Sequence, residues 1–459
     1  SGDISYPSNL DGVCSWTGVS CHDGYVSSIE IGYGFDLSGQ LPDSVGSLTL
    51  LVELSLYFSY YRSNNYELSG TLPAAWSSLS SLKTLAMGGN SLTGTVPTDW
   101  SSLLSLQDIF LGGNSLTGSL PPAWSEFLNL TTIHMDSNSL TGTLPAAWSS
   151  LSLLVGLSLD DNALTGTIPP DWSSMSSLIS LYLDDNSLTG TLPTAWSVSS
   201  SLLVLTLFDN SLTGTLPPEW SSILSLRQLE LGSNSLTGTL PPIWSTLSSL
   251  YFLGAFNNSL TGTLPPDWSS ILSMRQLELG SNSLTGTLPP VWSTLSSLYF
   301  LTAFDNSLTG TLPPVWSTLT SLRFLSLFNN ALISSLPSDW LSLTRLSTLN
   351  LYNNSLTGML PPDWLGLTRL STLNLCNNSL TGTLPSAWSS MSSLVELYLY
   401  DNSLSGPIPP SYSELSQLRY LHAFSNRLTL DPFPHDLCAS PELQSLYVHT
   451  TDVSNCDEY

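Results

Sequence analysis

The sequence predicts a repeat solenoid of α/β type, with parallel strands lining a concave sheet and 3₁₀ turns and loops on the convex side. Three observations carry that reading. Asparagine recurs every 24 residues at fifteen positions from Asn90 to Asn426. Tryptophan keeps the same step from Trp76 to Trp388, and Tyr412 takes the next slot. Between them runs a leucine pattern, as in Leu226–Trp244, LRQLELGSNSLTGTLPPIW. A fixed period of this length marks stacked units, each unable to bury its apolar face alone.

Composition narrows the classes of function. Apolar residues make up 41% of the 459 and supply a core, whereas charged residues are only 9%, far below the usual quarter. A net charge of −25 with nine Lys and Arg argues against nucleic acid, whose phosphates need cations, and disfavours anionic lipid. No apolar run reaches the ~18–20 residues that span a bilayer. Ser1 reads either as a mature end left by processing or as an artificial boundary of the sequence, so secretion rests on other features and any anchor would lie outside the sequence given. Among these features are the cysteines. Cys14 and Cys21 sit near one end, Cys438 and Cys456 near the other, and Cys376 alone in the body. Two terminal pairs, Cys14–Cys21 and Cys438–Cys456, read as cap disulfides in an oxidising compartment.

Residues 1–25 form an irregular N-terminal cap around CSWTGVSC, closing the apolar end of the first rung. The solenoid covers 26–429. Its first strand run is Val26–Ile31 and its second Leu51–Leu56; an insertion near 58–66 then lengthens one loop. From Leu82 to Leu418 the strand runs recur every 24 residues, and Leu443–Val448 enters a C-terminal cap at 430–459. About 18 strand rungs result. Within each LxxLxLxxNxLxGxLPxxWxxLxS unit, alternation sends Leu229 and Leu231 inward and Gln228 and Glu230 outward. The Asn side chain, donor and acceptor at once, bonds backbone groups in the turn leaving the strand and reaches the next rung. Gly permits a tight backbone path, and Pro ends the extended stretch and opens a 3₁₀ turn. Trp, with Leu three residues on, fills the back of the cross-section.

This unit resembles the leucine-rich repeat, in its plant-type 24-residue class with the LTGxLP segment. WTGVSC (Trp16–Cys21) is similar to the N-terminal cap motif of that class. The LPPxWSSL wording, with Trp where land-plant receptors have isoleucine, looks more like the surface proteins of algae and kinetoplastid protists such as the promastigote surface antigens. The resemblance implies a right-handed, curved superhelix and a glycosylated, non-enzymatic protein, secreted or displayed on a cell surface. No kinase domain, transmembrane helix or Cys-rich stalk accompanies it, so a receptor role is not supported by the sequence.

Function should then sit in the outward columns. The column two residues before each ladder Asn carries an aromatic series: Phe208, Phe256, Phe304, Phe328, Tyr352, Tyr400 and Phe424. Such a strip either covers neighbouring strand surface or contacts a ligand: protein, carbohydrate or another copy of the chain. An acidic group, Asp136, Asp160 and Asp184 in one column and Asp161, Asp185 and Asp209 in the next, places like charges across strands. Ca²⁺ is a candidate to offset them; a solvated acidic face with raised carboxyl pKa values is the alternative. No other cofactor is expected. His134, Asp136 and Ser158 make a Ser, His and Asp set by composition, but at strand spacing His134 and Asp136 project alike about 7 Å apart, and no oxyanion loop accompanies them, so no catalytic residue is assigned. His22, His422, His435 and His449 are isolated.

Sequons fall at Asn129, Asn257, Asn353 and Asn377. In the last three it is the first Asn of NNS that qualifies, leaving the ladder Asn to the turn. Cys376 occupies an outward position, either free for an intermolecular bond or shielded by Tyr352 and Tyr400. The leading expectation is an extracellular protein for recognition or adhesion through its concave face. The alternative is a structural subunit that assembles into a surface coat or filament, which the tandem pair Glu219–Pro266 and Asp267–Pro314 favours through its near identity.

Overall fold

The computed structural model describes residues 12–32, 37–56, 67–429, 435–438 and 440–448. They fall into two compact units, Ser1–Thr213 and Gly214–Tyr459. The expected insertion at 58–66 and most of the expected C-terminal cap lie outside the described residues.

The first unit opens with an antiparallel strand pair, Val19–His22 against Tyr25–Glu30. Asp23 and Gly24 between them both have positive φ, 49° and 82°, as the hairpin turn with two left-handed central residues requires. The first strand corrects the reading of 1–25 as irregular: the Asp-Gly pair was the available signal. From there seven further strands add in parallel, from Glu53–Ser55 to Val204–Thr206. After the hairpin strand, each spans three residues, the centre of LxxLxL, with its Leu or Ile buried. Behind this sheet the SLTGT segments make a second parallel ladder that the repeat pattern alone did not announce, including Ser91–Thr95 and Ser115–Ser119. Gly94 shows why LTG keeps its glycine: φ is 78°, and an added Cβ would stand 2.9 Å from the Thr71 methyl of the preceding rung. Five-residue 3₁₀ turns follow each ladder segment, from Asp43–Ser47 to Thr194–Val198.

The second unit repeats this plan. Ten parallel strands run from Gln228–Glu230 to Ser445–Tyr447. Their 3₁₀ turns run from Pro218–Ser222 to Pro410–Glu414, and a short α-helix, His435–Cys438, precedes the last strand.

Two side-chain ladders join the rungs within each unit. Asn138 is representative. Its Oδ1 accepts the Leu116 N–H at 2.9 Å, and its Nδ2 donates to Leu111 O at 3.1 Å, both in the preceding rung. The same amide group donates to Met135 O and Asp136 O of its own rung, at 3.2 and 3.0 Å. The expectation that each Asn reaches the next rung is therefore corrected in direction. Backbone pairing continues through the turn at Ser137 and Asn138, which donate to Asp160 O and Asp161 O, while the Leu116 N–H and Leu111 carbonyl turn to the Asn138 side chain; only a side chain carrying both donor and acceptor can serve both.

The tryptophans form the other ladder. Trp148 is fully buried, stacks on Trp124 and Trp172 with centroids 6.0 and 6.4 Å apart, and donates from Nε1 to Pro121 O at 3.0 Å. Trp124 breaks the pattern: its Nε1 is buried without an acceptor. Phe127, in a slot held elsewhere by Leu, Ile, Met or Ser, lies 5.7 Å from its ring. Trp148→Phe removes one of the two hydrogen bonds that the Pro121 carbonyl accepts, the other coming from the Trp124 backbone N–H at 3.1 Å, whereas Trp124→Phe removes no side-chain hydrogen bond. In urea unfolding, Trp148→Phe should thus lose about 0.5–1.5 kcal/mol more than Trp124→Phe; equal losses would refute the assigned bonding.

Candidate ligand-binding face

The residue before each ladder Asn is left-handed. In the first unit φ is 53° at Asp161, 51° at Asp185 and 50° at Asp209; in the second it is 51° at Asn257, 54° at Asn353 and 51° at Asn377. Short polar side chains and glycine tolerate that backbone. This column, which contains half of the acidic group and three of the four sequons, thus has a backbone reason for its composition.

In the first unit the remaining acids stand one residue earlier. Asp184 accepts a hydrogen bond from the Thr206 hydroxyl. Burial pushes its carboxyl up to about 6, opposed by Thr206 and aided by Asp160. Burial, then Asp160, also raises Asp136; burial, then Asp209 and Asp161, raises Asp185. Among the described residues no three His, Cys, Asp or Glu side chains converge as a metal site requires. His134 and Ser158 are register partners. Yet the Ser158 hydroxyl donates to Asp160 Oδ1 at 2.5 Å, and the His134 ring packs edge-on to Phe110 at 5.2 Å.

The second unit brings the aromatic residues together. Phe304 and Phe328 stack at 4.5 Å, Phe328 and Tyr352 at 4.4 Å, and Tyr400 and Phe424 at 4.7 Å, all within 9° of parallel. A second stack, missed in the sequence, runs beside the first: Phe300 and Phe324 at 4.5 Å. Its signal was present, since Phe252, Phe300 and Phe324 all stand six residues before a ladder Asn. Between the two rows lies a trench of about 340 Å³ lined by Phe256, Phe300, Phe304, Phe324 and Phe328, with Glu278, Thr302, Ser326 and Asn350 between the walls. Thr302 and Ser326 are buried, and the Asn350 Oδ1 is buried without a partner. Gly232 and Gly280 let the rows lie low: an added Cβ would meet the Phe256 ring at 2.5 Å and the Phe304 ring at 2.7 Å. The stacked faces of Phe304, Phe328 and Tyr352, and of Phe300 and Phe324, cover one another. Phe208, in the first unit, is half-buried.

Cys376 interrupts the row. It is free, 1% exposed and hydrogen-bonded to Tyr400. That bond, then burial, pushes the Tyr400 hydroxyl up to about 12, and burial raises the Cys376 thiol. A buried thiol held above its usual range is a poor nucleophile, which favours shielding over a bond to another chain. Of the other cysteines, Cys14–Cys21 is a disulfide and Cys438 is disulfide-bonded, while Cys456 lies outside the described residues.

All four sequon asparagines are exposed. Asn129 donates to Leu104 O at 3.2 Å and Asn257 to Ser233 Oγ at 3.2 Å. Asn377 donates to Asn353 at 2.7 Å, Asn353 to Asn329 at 2.6 Å, and Asn329 to Asp305. A chain of amides thus flanks the aromatic row.

Comparison with known proteins follows from this geometry. A leucine rich repeat model matches residues 368–428, and a second matches 129–151, 177–198, 225–247 and 345–367. The fold is a leucine-rich-repeat solenoid. The plant peptide hormone receptor RGFR1 in complex with RGF2 is similar over 95% of this chain and 83% of that one, at 28% identity and a TM-score of 0.78. The Arabidopsis receptor kinase HAESA, in complex with the peptide hormone IDA and the co-receptor SERK1, is similar over 97% and 81%, at 27% and 0.76. The Leptospira interrogans leucine-rich-repeat protein LIC12759 is similar over 90% and 94%, at 29% and 0.64. No curated protein matches. These findings support a leucine-rich-repeat protein. Among the described residues no helix is long and apolar enough to cross a membrane.

The acidic group yields a pH prediction. With its carboxyl raised, folded Asp184 holds a proton more tightly than the unfolded chain does. Its charge therefore costs stability above about pH 6, and that cost fades as pH falls toward about 4. Asp184→Asn should raise the urea midpoint at pH 7 and leave it nearly unchanged near pH 4; a loss at pH 7 would show that the carboxylate is stabilising.

Proposed function

We propose that this is a non-catalytic recognition protein acting outside the cell, and that it holds a protein ligand against the strand face of its second unit. The observation that carries the reading is the double-walled aromatic trench with unsatisfied polar capacity between its walls. An exposed apolar strip rimmed by polar groups marks a contact site, and aromatic anchors dominate binding energy. Rings whose faces stack on one another, as Phe304, Phe328 and Tyr352 do, have less face free for a sugar, which favours a peptide. The peptide hormone complexes among the similar structures support a protein ligand. The repeat wording supports the plant-type class, closest to algal and kinetoplastid surface proteins. On this reading residues 1–25 and 430–459 cap the solenoid, Cys438 pairs with Cys456, and the four sequons carry glycan.

Peptides selected from a displayed random library on the immobilised chain test the proposal. Phe304→Ala and Phe328→Ala should each weaken the selected binders about 30-fold, whereas Val315→Ala, on an exposed 3₁₀ turn, should leave them unchanged. Binders indifferent to both phenylalanines would place recognition elsewhere. For the glycans, intact mass of secreted protein should fall on N-deglycosylation, and an unchanged mass would remove the sequons from the account.

A further inference from the structure

The strand face leading into the trench has a period of its own. Over four rungs, from Arg227 to Phe304, polar and aromatic rungs alternate; the next rung, with Phe324 and Phe328, is aromatic again. Arg227, Gln228, Glu230 and Gly232 lie on one rung, and Tyr251, Phe252, Gly254 and Phe256 on the next. Arg275, Gln276, Glu278 and Gly280 then repeat the first set, and Tyr299, Phe300, Thr302 and Phe304 the second with one change. Strand registers put these sets on successive rungs, Glu230 opposite Gly254 opposite Glu278 opposite Thr302. The bonding repeats as well. Tyr251 donates to Gln228 at 3.3 Å and Gln228 to Glu230 at 2.5 Å; 48 residues on, Tyr299 donates to Gln276 at 2.9 Å and Gln276 to Glu278 at 2.5 Å. Each relay fixes one carboxylate. The two fixed carboxylates therefore stand two rungs apart, about 9.6 Å at ~4.8 Å per strand.

That length selects among chain conformations. Three residues of polyproline II advance about 9.3 Å, within a few tenths of an ångström of that separation. Two residues or four would miss it by about 3 Å. Glu278 lines the trench and Glu230 lies two rungs before it, and their charge selects the side chain. Neither Glu230 nor Glu278 has a cationic partner within 4.0 Å among the described residues. Burial raises Glu230, with Gln228 opposing and Glu278 adding, so a cation placed there would relieve an uncompensated charge. The arginines at the rim, Arg227, Arg275 and Arg323, are exposed, and solvent screens them more than it screens half-buried carboxylates. A lysine suits the walls too, its methylene stem lying along the rings while the ammonium reaches the carboxylate.

We propose that the ligand segment in the trench is a polyproline-type peptide with a Lys or Arg at every third residue, successive cations meeting Glu230 and Glu278. This rests on the reading of the trench as a protein-binding site and adds its conformation, spacing and charge.

The test uses the full chain and labelled synthetic peptides in fluorescence anisotropy at physiological salt. The probes are Pro-Pro-Lys repeats, Pro-Lys and Pro-Pro-Pro-Lys repeats with the same number of lysines, Pro-Pro-Glu repeats, and a chitosan oligomer. The Pro-Pro-Lys peptide should bind at least about tenfold tighter than the others, and Glu278→Gln and Phe328→Ala should each weaken it about tenfold. Equal affinity for all lysine spacings, with Phe328 still required, overturns the period but keeps the trench as a protein site. Phe328-dependent binders from the random library that lack cations overturn the charge assignment and likewise keep the site. Tighter Phe328-dependent binding of chitosan overturns the peptide assignment. Binding that ignores Phe328 is attraction to the net charge alone and overturns both this inference and the site it rests on.

Discussion

Each rung depends on a carboxamide that serves two rungs at once. Where the chain leaves its strand some backbone groups, such as the Leu116 N–H and the Leu111 carbonyl, turn to a side chain, and unpaired buried amides are expensive. Asn138 and its counterparts such as Asn282 solve this with one side chain, accepting from the preceding rung and donating to two. The other regularities are subordinate. The left-handed residue before the Asn aims it, the Trp to Pro carbonyl bonds hold the opposite side, and the leucines fill what lies between.

With the frame held this way, the outward columns are free to vary, and the two units use them differently. The first unit gathers carboxylates whose charges are raised in energy by burial and by one another. The second lays flat two rows of rings with glycines beneath them. Asp136, Asp160 and Asp184 hold the same position relative to the ladder as Phe304 and Phe328, so the chemistry of that column changes while its place in the repeat does not.

Much of the fold was legible because its period is strict. The strand runs, the inward leucines and the 3₁₀ turns after Pro follow from residue type and spacing. The Val19–His22 strand was legible in Asp23-Gly24 but hidden by the cysteines around it. The second ladder was not legible, since SLTGT alternates no apolar residues and pairs through backbone alone. At the site, the row from Phe256 to Phe424 stood out as a column. The trench did not, because it needs a second row on a different column and the relay Tyr299–Gln276–Glu278, which joins residues on adjacent rungs. Cys376 looked outward by position; its burial comes from neighbours 24 residues away on either side.

The left-handed residue ahead of each ladder Asn bears on how such a surface changes over generations. That backbone restricts the position to Asp, Asn, Ser or Gly, and the ladder Asn is usually followed by Ser. Asp185, Asp209, Ser233, Ser281, Asp305 and Asp401 are therefore each one tolerated replacement, to Asn, from an acceptor sequon. Asn329, followed by Asn330 and Ala331, shows the complementary case, an Asn that the backbone accepts with no sequon formed. The geometry that holds the rungs together thus keeps a row of latent sugar attachment points beside the strand face, which lineages could gain or lose one rung at a time without disturbing the frame.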